Sequence, residues 1–223
     1  MLGDISRIWN KYGNLYMKGL WGTLWMSLLT VLIATVLGTV VALIRGARFR
    51  PTRFLMQCYI EIVRGTPILL QLYFFWIFMP KVMPFEVSDT VSIVTALIFN
   101  AGAYIAEVIR AGIQAVDYGQ TEAGLSLGLS GSHLFTRIVF PQALKNILPA
   151  LGNEFIVMIK ETSLASVFFV PELTTSYKTV QSVTFKSIPS LTIAGFIYLA
   201  LTFLLTRLLN VIERRMKSNE RKA

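Results

Sequence analysis

From Leu20 to Ile44 the chain carries no charged residue, and four arginines close the run: Arg45, Arg48, Arg50 and Arg53. A helix through roughly 25 residues is about 37 Å long, which exceeds the ~30 Å hydrocarbon core of a bilayer. Few folds other than a membrane span are open to such a segment. It is longer than the apolar region of a signal peptide, and arginines rather than small residues follow it. Four more apolar runs come after it, at about 54–79, 87–109, 147–170 and 188–211. With only 15% charged residues, too few remain for a separate soluble domain. The expectation is an all-α integral membrane protein with about five transmembrane helices, residues 1–223 forming a single transmembrane domain. Residues 1–19, with Trp9, Tyr12 and Tyr16, suit a short amphipathic segment at the interface.

Five spans put the termini on opposite sides, and the lysines and arginines choose which. The loop 45–53, the stretch 110–145 and the tail after 212 carry twelve of them, against six on the other side. Positive residues favour the cytoplasm, so the N-terminus is expected outside and the C-terminus inside. The formal net charge of +9 therefore reads as topology and not as a nucleic-acid footprint. The single cysteine, Cys58, excludes an intrachain disulfide and any multi-cysteine metal site.

Polar residues inside apolar spans are costly and point to a pathway. The second run holds Glu61, Arg64 and Thr66-Pro67, and Pro67 is expected to bend the helix and free a carbonyl. Thr66 is a candidate lining residue. Glu61 and Arg64, three apart, are expected to pair with each other. The third run holds Asn100, which either lines the path or bonds helix to helix, and Glu107. The fourth holds Glu154, Lys160 and Glu161. The two glutamates, seven residues and about 10.5 Å apart on one helix face, would attract an ammonium or guanidinium. Lys160, beside Asn153, would meet a carboxylate, unless Glu161 or Glu107 holds it as an internal ion pair.

Between the third and fourth runs, at 119–143, acids, serines and glycines alternate with apolar residues. Two short amphipathic helices joined at Gly128 are expected, with Ser130 or Ser132 capping the second. Glu122 would favour a helix start, and Pro141 suits the first turn of the next helix.

This stretch, with Glu122-Ala123, Gly128, Arg137, Ile138 and Pro141-Gln142-Ala143, resembles the EAA loop of ABC-importer permeases. Further similarity lies in Glu61-Ile-Val-Arg-Gly-Thr-Pro67 with Gln71, in the run Asn100 to Gln114, in Leu151-Gly-Asn-Glu-Phe155, in Lys160-Glu-Thr-Ser-Leu164 and in Val170-Pro-Glu-Leu173. Together these are similar to the polar-amino-acid branch of that family, the histidine, glutamine and arginine type. Gly124 and Leu125 depart from the alanine and arginine common there. The resemblance implies a type I importer fold in a bacterial plasma membrane. It implies a second permease subunit, identical or a sibling, two copies of an ATP-binding subunit docking on the loop, and an extracytoplasmic amino-acid-binding protein. ATP and magnesium would sit on the partner subunit, because the chain lacks G-x-x-x-x-G-K-[ST] and binds no cofactor of its own.

Two other functions compete. An ion-coupled secondary amino acid transporter would use Glu154 or Glu161 as its ion site, but the chain shows no inverted repeat. A hydrolase would use Ser126 in Gly124-Leu-Ser-Leu-Gly128, but no strand precedes it and the only histidine, His133, shares its short loop. His133 has no His or Cys companion for a metal.

Overall fold

The computed structural model describes residues 1–47 and 49–218. Arg48 and the end of the basic tail, 219–223, lie outside the described residues. Every regular element among the described residues is helical: α1 Leu2–Gly46, α2 Arg50–Gly65, α3 Ile68–Val82, α4 Asp89–Gln114, α5 Tyr118–Ser126, α6 Gly131–Leu134, a π turn at Phe135–Val139, α7 Phe140–Glu161, a 3₁₀ segment Thr162–Phe168, α8 Leu173–Thr184 and α9 Ser187–Ser218.

Among the described residues α1, α4 and α9 are long and apolar enough to cross a membrane, and α2 with α3 adds a fourth if the bent pair is one span. α7 carries Lys145, Glu154, Lys160 and Glu161 and falls outside that set. Residues 1–19 form no separate segment. No proline interrupts them, and they continue the first span as one helix of 45 residues. Their apolar side packs Ile8 and Tyr16 onto Leu173, Val180, Ile193 and Ala194. Tyr16 donates its hydroxyl to the Ser190 carbonyl at 3.0 Å. Near the start of α1, Asp4 pairs with Lys186.

The axis of the molecule is α4. It touches α1, α2, α3 and α7, and most of its small residues, Ala96, Ala101, Gly102, Ala103 and Ala106, are buried. Small side chains let helices approach closely in a membrane, where packing drives association. The approach of α1 shows the limit: a Cβ on Gly38 would lie 2.9 Å from the Gly102 carbonyl oxygen.

The second span differs from its expectation of a bent helix. Thr66 and Pro67 are both extended, and α3 leaves α2 at 111°. The fourth span is also shorter than expected. Regular α-helix stops at Glu161, tightens to 3₁₀, and ends at Phe169 in the left-handed region with φ 56°. Beyond it lies α8, an element absent from the sequence expectation. Glu172 starts it, with its carboxylate accepting from the Thr174 and Thr175 backbone N–H groups at 2.7 and 2.5 Å and from the Tyr198 hydroxyl at 2.9 Å. An acid at a helix start suits the N-terminal dipole, but glutamate is not among the preferred capping residues, so the sequence marked this start only weakly.

Candidate functional site

The break at Pro67 is explained by where the freed backbone groups go. Proline has no N–H for the carbonyl four residues earlier, which is that of Val63. The Gln71 side-chain amide donates to that carbonyl at 2.7 Å, to the Thr66 carbonyl at 3.2 Å and to Thr66 Oγ1 at 2.8 Å. The Thr66 hydroxyl in turn donates to the Ile62 carbonyl at 2.8 Å. Asn100, buried on α4, donates its amide to Gln71 Oε1 at 2.9 Å. Thr66 and Asn100 are thus brought together through Gln71, and Asn100 bonds helix to helix. A cavity of about 430 Å³ opens beside them, lined by Ile62, Thr66, Gln71, Phe74, Phe75 and Phe99.

Gln71 was the residue without a role in the sequence, and its position four after the proline is the only local sign. Gln71→Leu would leave the Val63 carbonyl and the Asn100 amide without these bonds. It is expected to destabilise the protein by about 1–3 kcal/mol, read as a lowered melting temperature in detergent.

Glu61 and Arg64 do not pair. Glu61 accepts from Gln57 Nε2 at 2.9 Å, one turn back on its own helix. Arg64, at the last turn of α2, lies over the Tyr104 ring and reaches Glu107 at 3.9 Å. Glu107 is the centre of a larger cluster. Arg45 from the end of α1 binds one carboxylate oxygen, and Arg110 binds the other through Nε at 2.9 Å and Nη2 at 2.6 Å. Three guanidiniums from three helices therefore converge on one carboxylate, and Glu107 is not free to hold Lys160.

On α7, Glu154 and Glu161 are half-buried, while Asn153 and Lys160 are exposed. The structure keeps these carboxylates apart from the Thr66 break as groups on different helices. α4, packed against both α3 and α7, relates the two.

The stretch 119–143 forms an exposed arm. Asp117 caps α5, accepting from the Gly119 N–H at 2.6 Å. Glu122 is the fifth residue of α5, not at its start, so it owes nothing to the N-terminal dipole, and its side chain is exposed. The helix ends in a Schellman turn: the Leu129 N–H bonds the Gly124 carbonyl at 3.1 Å and the Gly128 N–H the Leu125 carbonyl at 2.9 Å. Gly128 sits at φ +80° with open space around it. Ser130 then caps α6, as expected, accepting from the His133 N–H at 3.4 Å. Gly124 is where the arm folds on itself, since a Cβ there would come 2.5 Å from Leu134 Cδ1. Ala123, Arg137 and Pro141 are exposed along the arm.

The second helix of the arm is not separate. α6, the π turn and α7 follow without an interruption from Gly131 to Glu161. The π turn, closed by the Phe140 N–H on the Phe135 carbonyl, ends at Val139, two residues before Pro141. A proline inside a helix clashes with the carbonyl four residues back, and widening the turn accommodates it. Ser126, at the end of α5, donates its hydroxyl to the Glu122 carbonyl at 2.9 Å, and His133 faces Ser130.

Residues 34–218 match the family described as the inner membrane component of binding-protein-dependent transport systems. The arginine transport system permease protein ArtQ of Bacillus subtilis is 35% identical over 204 residues, covering 92% of this chain and 93% of that one. The glutamine transport system permease protein GlnP of Escherichia coli K12 is 35% identical over 215 residues, covering 96% and 98%. Among solved structures, an amino acid ABC transporter crystallised with histidines superposes with a TM-score of 0.88 at 41% identity, covering 92% of this chain and 95% of that one. The methionine transporter MetNI, in an inward-facing form, gives 0.76 at 16% identity over 91% and 96%, a likeness of fold.

Proposed function

Since the chain belongs to the inner-membrane components of binding-protein-dependent transport systems, and among them to the amino acid ABC transporter permeases, we propose that it forms the path for a polar or charged amino acid and takes its driving force from a separate ATPase through the 122–141 arm. One observation carries this reading: the second half of the exposed arm, from Gly131 onward, and the carboxylates of α7 lie on one continuous helical run that ends at Glu161. Force applied at the arm is transmitted along that run to Glu154 and Glu161 without crossing a loop.

The chain is one transmembrane permease domain, with its N-terminus outside and its arm and C-terminus in the cytoplasm of a bacterium, as the distribution of lysine and arginine favours. It works beside a second permease subunit, two ATP-binding subunits that hold ATP and magnesium, and an extracytoplasmic amino-acid-binding protein. Glu154 and Glu161 receive the ammonium or a cationic side chain. The first N–H groups of α3 have no carbonyl one turn before them, and with Thr66 they suit the substrate carboxylate. Asn100 holds the break in shape through Gln71, and Lys160 screens Glu161. Glu61 lines the approach.

The test is uptake in proteoliposomes of the complex purified from its native membrane. Uptake that needs internal ATP and is blocked by vanadate is expected. Uptake that survives vanadate and collapses with an ionophore would transfer the protein to the ion-coupled class. Within the same assay Glu154→Gln is expected to raise KM for a cationic amino acid about fivefold, the contribution of one hydrogen bond.

A further inference from the structure

A cleft of about 710 Å³, not lined by the α7 carboxylates, lies where the ends of α1 and α4 meet the start of α2 and the π turn. Its lining has two chemically distinct parts. One is basic: Arg45, Arg53 and Arg110, with Gln57 and Gln114 between them. The other is apolar, with Leu43, Ile109, Ile113, Phe135, Phe140 and Ile147.

The charges in the cleft do not cancel. Arg45 and Arg110 share the single carboxylate of Glu107, which Arg64 also approaches. Arg53, exposed on the first turns of α2, has no carboxylate partner among the described residues. A site with surplus guanidinium charge, beside an apolar trough at the end of membrane helices, fits an amphiphile with an anionic head. Guanidinium binds phosphate through paired N–H donors, and basic pockets between membrane helices on the cytoplasmic side bind acidic headgroups.

We propose that this cleft binds an anionic phospholipid, its headgroup phosphate between Arg53, Arg45 and Arg110 and one acyl chain along Leu43, Ile109 and Phe140. The cytoplasmic leaflet follows from the orientation proposed above; the binding itself does not depend on it. Because Phe135 and Phe140 bound both the cleft and the π turn, the lipid lies against the π turn that joins α6 to α7.

The test is native mass spectrometry of the intact complex, delipidated in mild detergent and re-supplied with phosphatidylglycerol or phosphatidylcholine. Wild type is expected to retain phosphatidylglycerol and not phosphatidylcholine. Arg53→Gln is expected to retain about fivefold less phosphatidylglycerol, the loss of one arginine near a charged headgroup. That variant removes an exposed side chain that holds no other residue, so the fold is kept, and an unchanged melting temperature verifies this. Equal retention by wild type and Arg53→Gln would overturn the proposal, as would phosphatidylcholine held as well as phosphatidylglycerol. A shift in wild-type melting temperature with millimolar inorganic phosphate, absent in Arg53→Gln and unaccompanied by lipid retention, would replace the lipid with a free anion and also overturn it. Loss of ATP-driven uptake with lipid retention intact would count against the transport reading alone.

Discussion

Gly128→Val is expected to cut ATP-driven uptake by about tenfold or more while leaving the apolar helices folded. The residue holds φ +80° at the tip of the arm. A side chain there meets nothing within 4 Å, so the penalty is conformational and not steric crowding against neighbours. An L-residue in the left-handed region costs about 1–2 kcal/mol, and a β-branched one is a strong outlier. The Schellman turn would reopen, and α5 would no longer present the same surface with α6. Co-purification of the tagged chain should show the ATP-binding subunit with wild type and much less of it with the variant. Gly128→Asn provides the control, because asparagine enters the left-handed region readily; it should keep most of the uptake. If valine and asparagine behave alike, the shape of the turn is not what the partner reads.

Removing the Glu107 carboxylate is the second large effect. Glu107→Ala is expected to destabilise the protein by about 2–4 kcal/mol, toward the lower end for a broken buried ion pair because Arg64 and Arg110 keep access to solvent. The reason is the surplus of cations: Arg45, Arg64 and Arg110 converge from three helices on that one group. Without it, like charges from α1, α2 and α4 face each other. Melting of the detergent-solubilised complex should fall by several degrees, and Glu107→Gln should lie between. An unchanged melting temperature would mean that the guanidiniums are held by solvent and not by the glutamate.

How far these features were legible depends on the range of the interaction that makes them. The apolar runs, the all-helical class and the arm around Gly128 are written in local patterns: hydropathy over twenty residues, a glycine turn, a serine cap. Pro67 announced a disturbance in the same local way. Its severity did not, because the right-angle break is stable only once Gln71 and then Asn100 of another helix satisfy the carbonyls it frees. Glu107 stood out as a charge within a span, and Arg110 three residues on was within local reach, yet its other two partners come from α1 and α2. Nothing in the spacing of Glu61 and Arg64 said that each would choose a neighbour elsewhere. Glu122 was misplaced by one turn, since Asp117 starts α5 earlier than the motif suggests. The reach of α1 was hidden by its polar first half, which reads as interfacial until α8 and α9 are there to cover it.

The π turn before Pro141 changes the phase of everything on its N-terminal side. At 3.6 residues per turn, Leu134 and Ala143 would stand about 180° apart on a single helical wheel, one inward and the other outward. Both are buried. One extra residue taken up by the wide turn sets them about 80° apart instead, and that rotation carries Leu134 round to meet Gly124. A comparison that projects 131–161 onto one uniform wheel would therefore misplace the inner face of the arm's second half by about 100°.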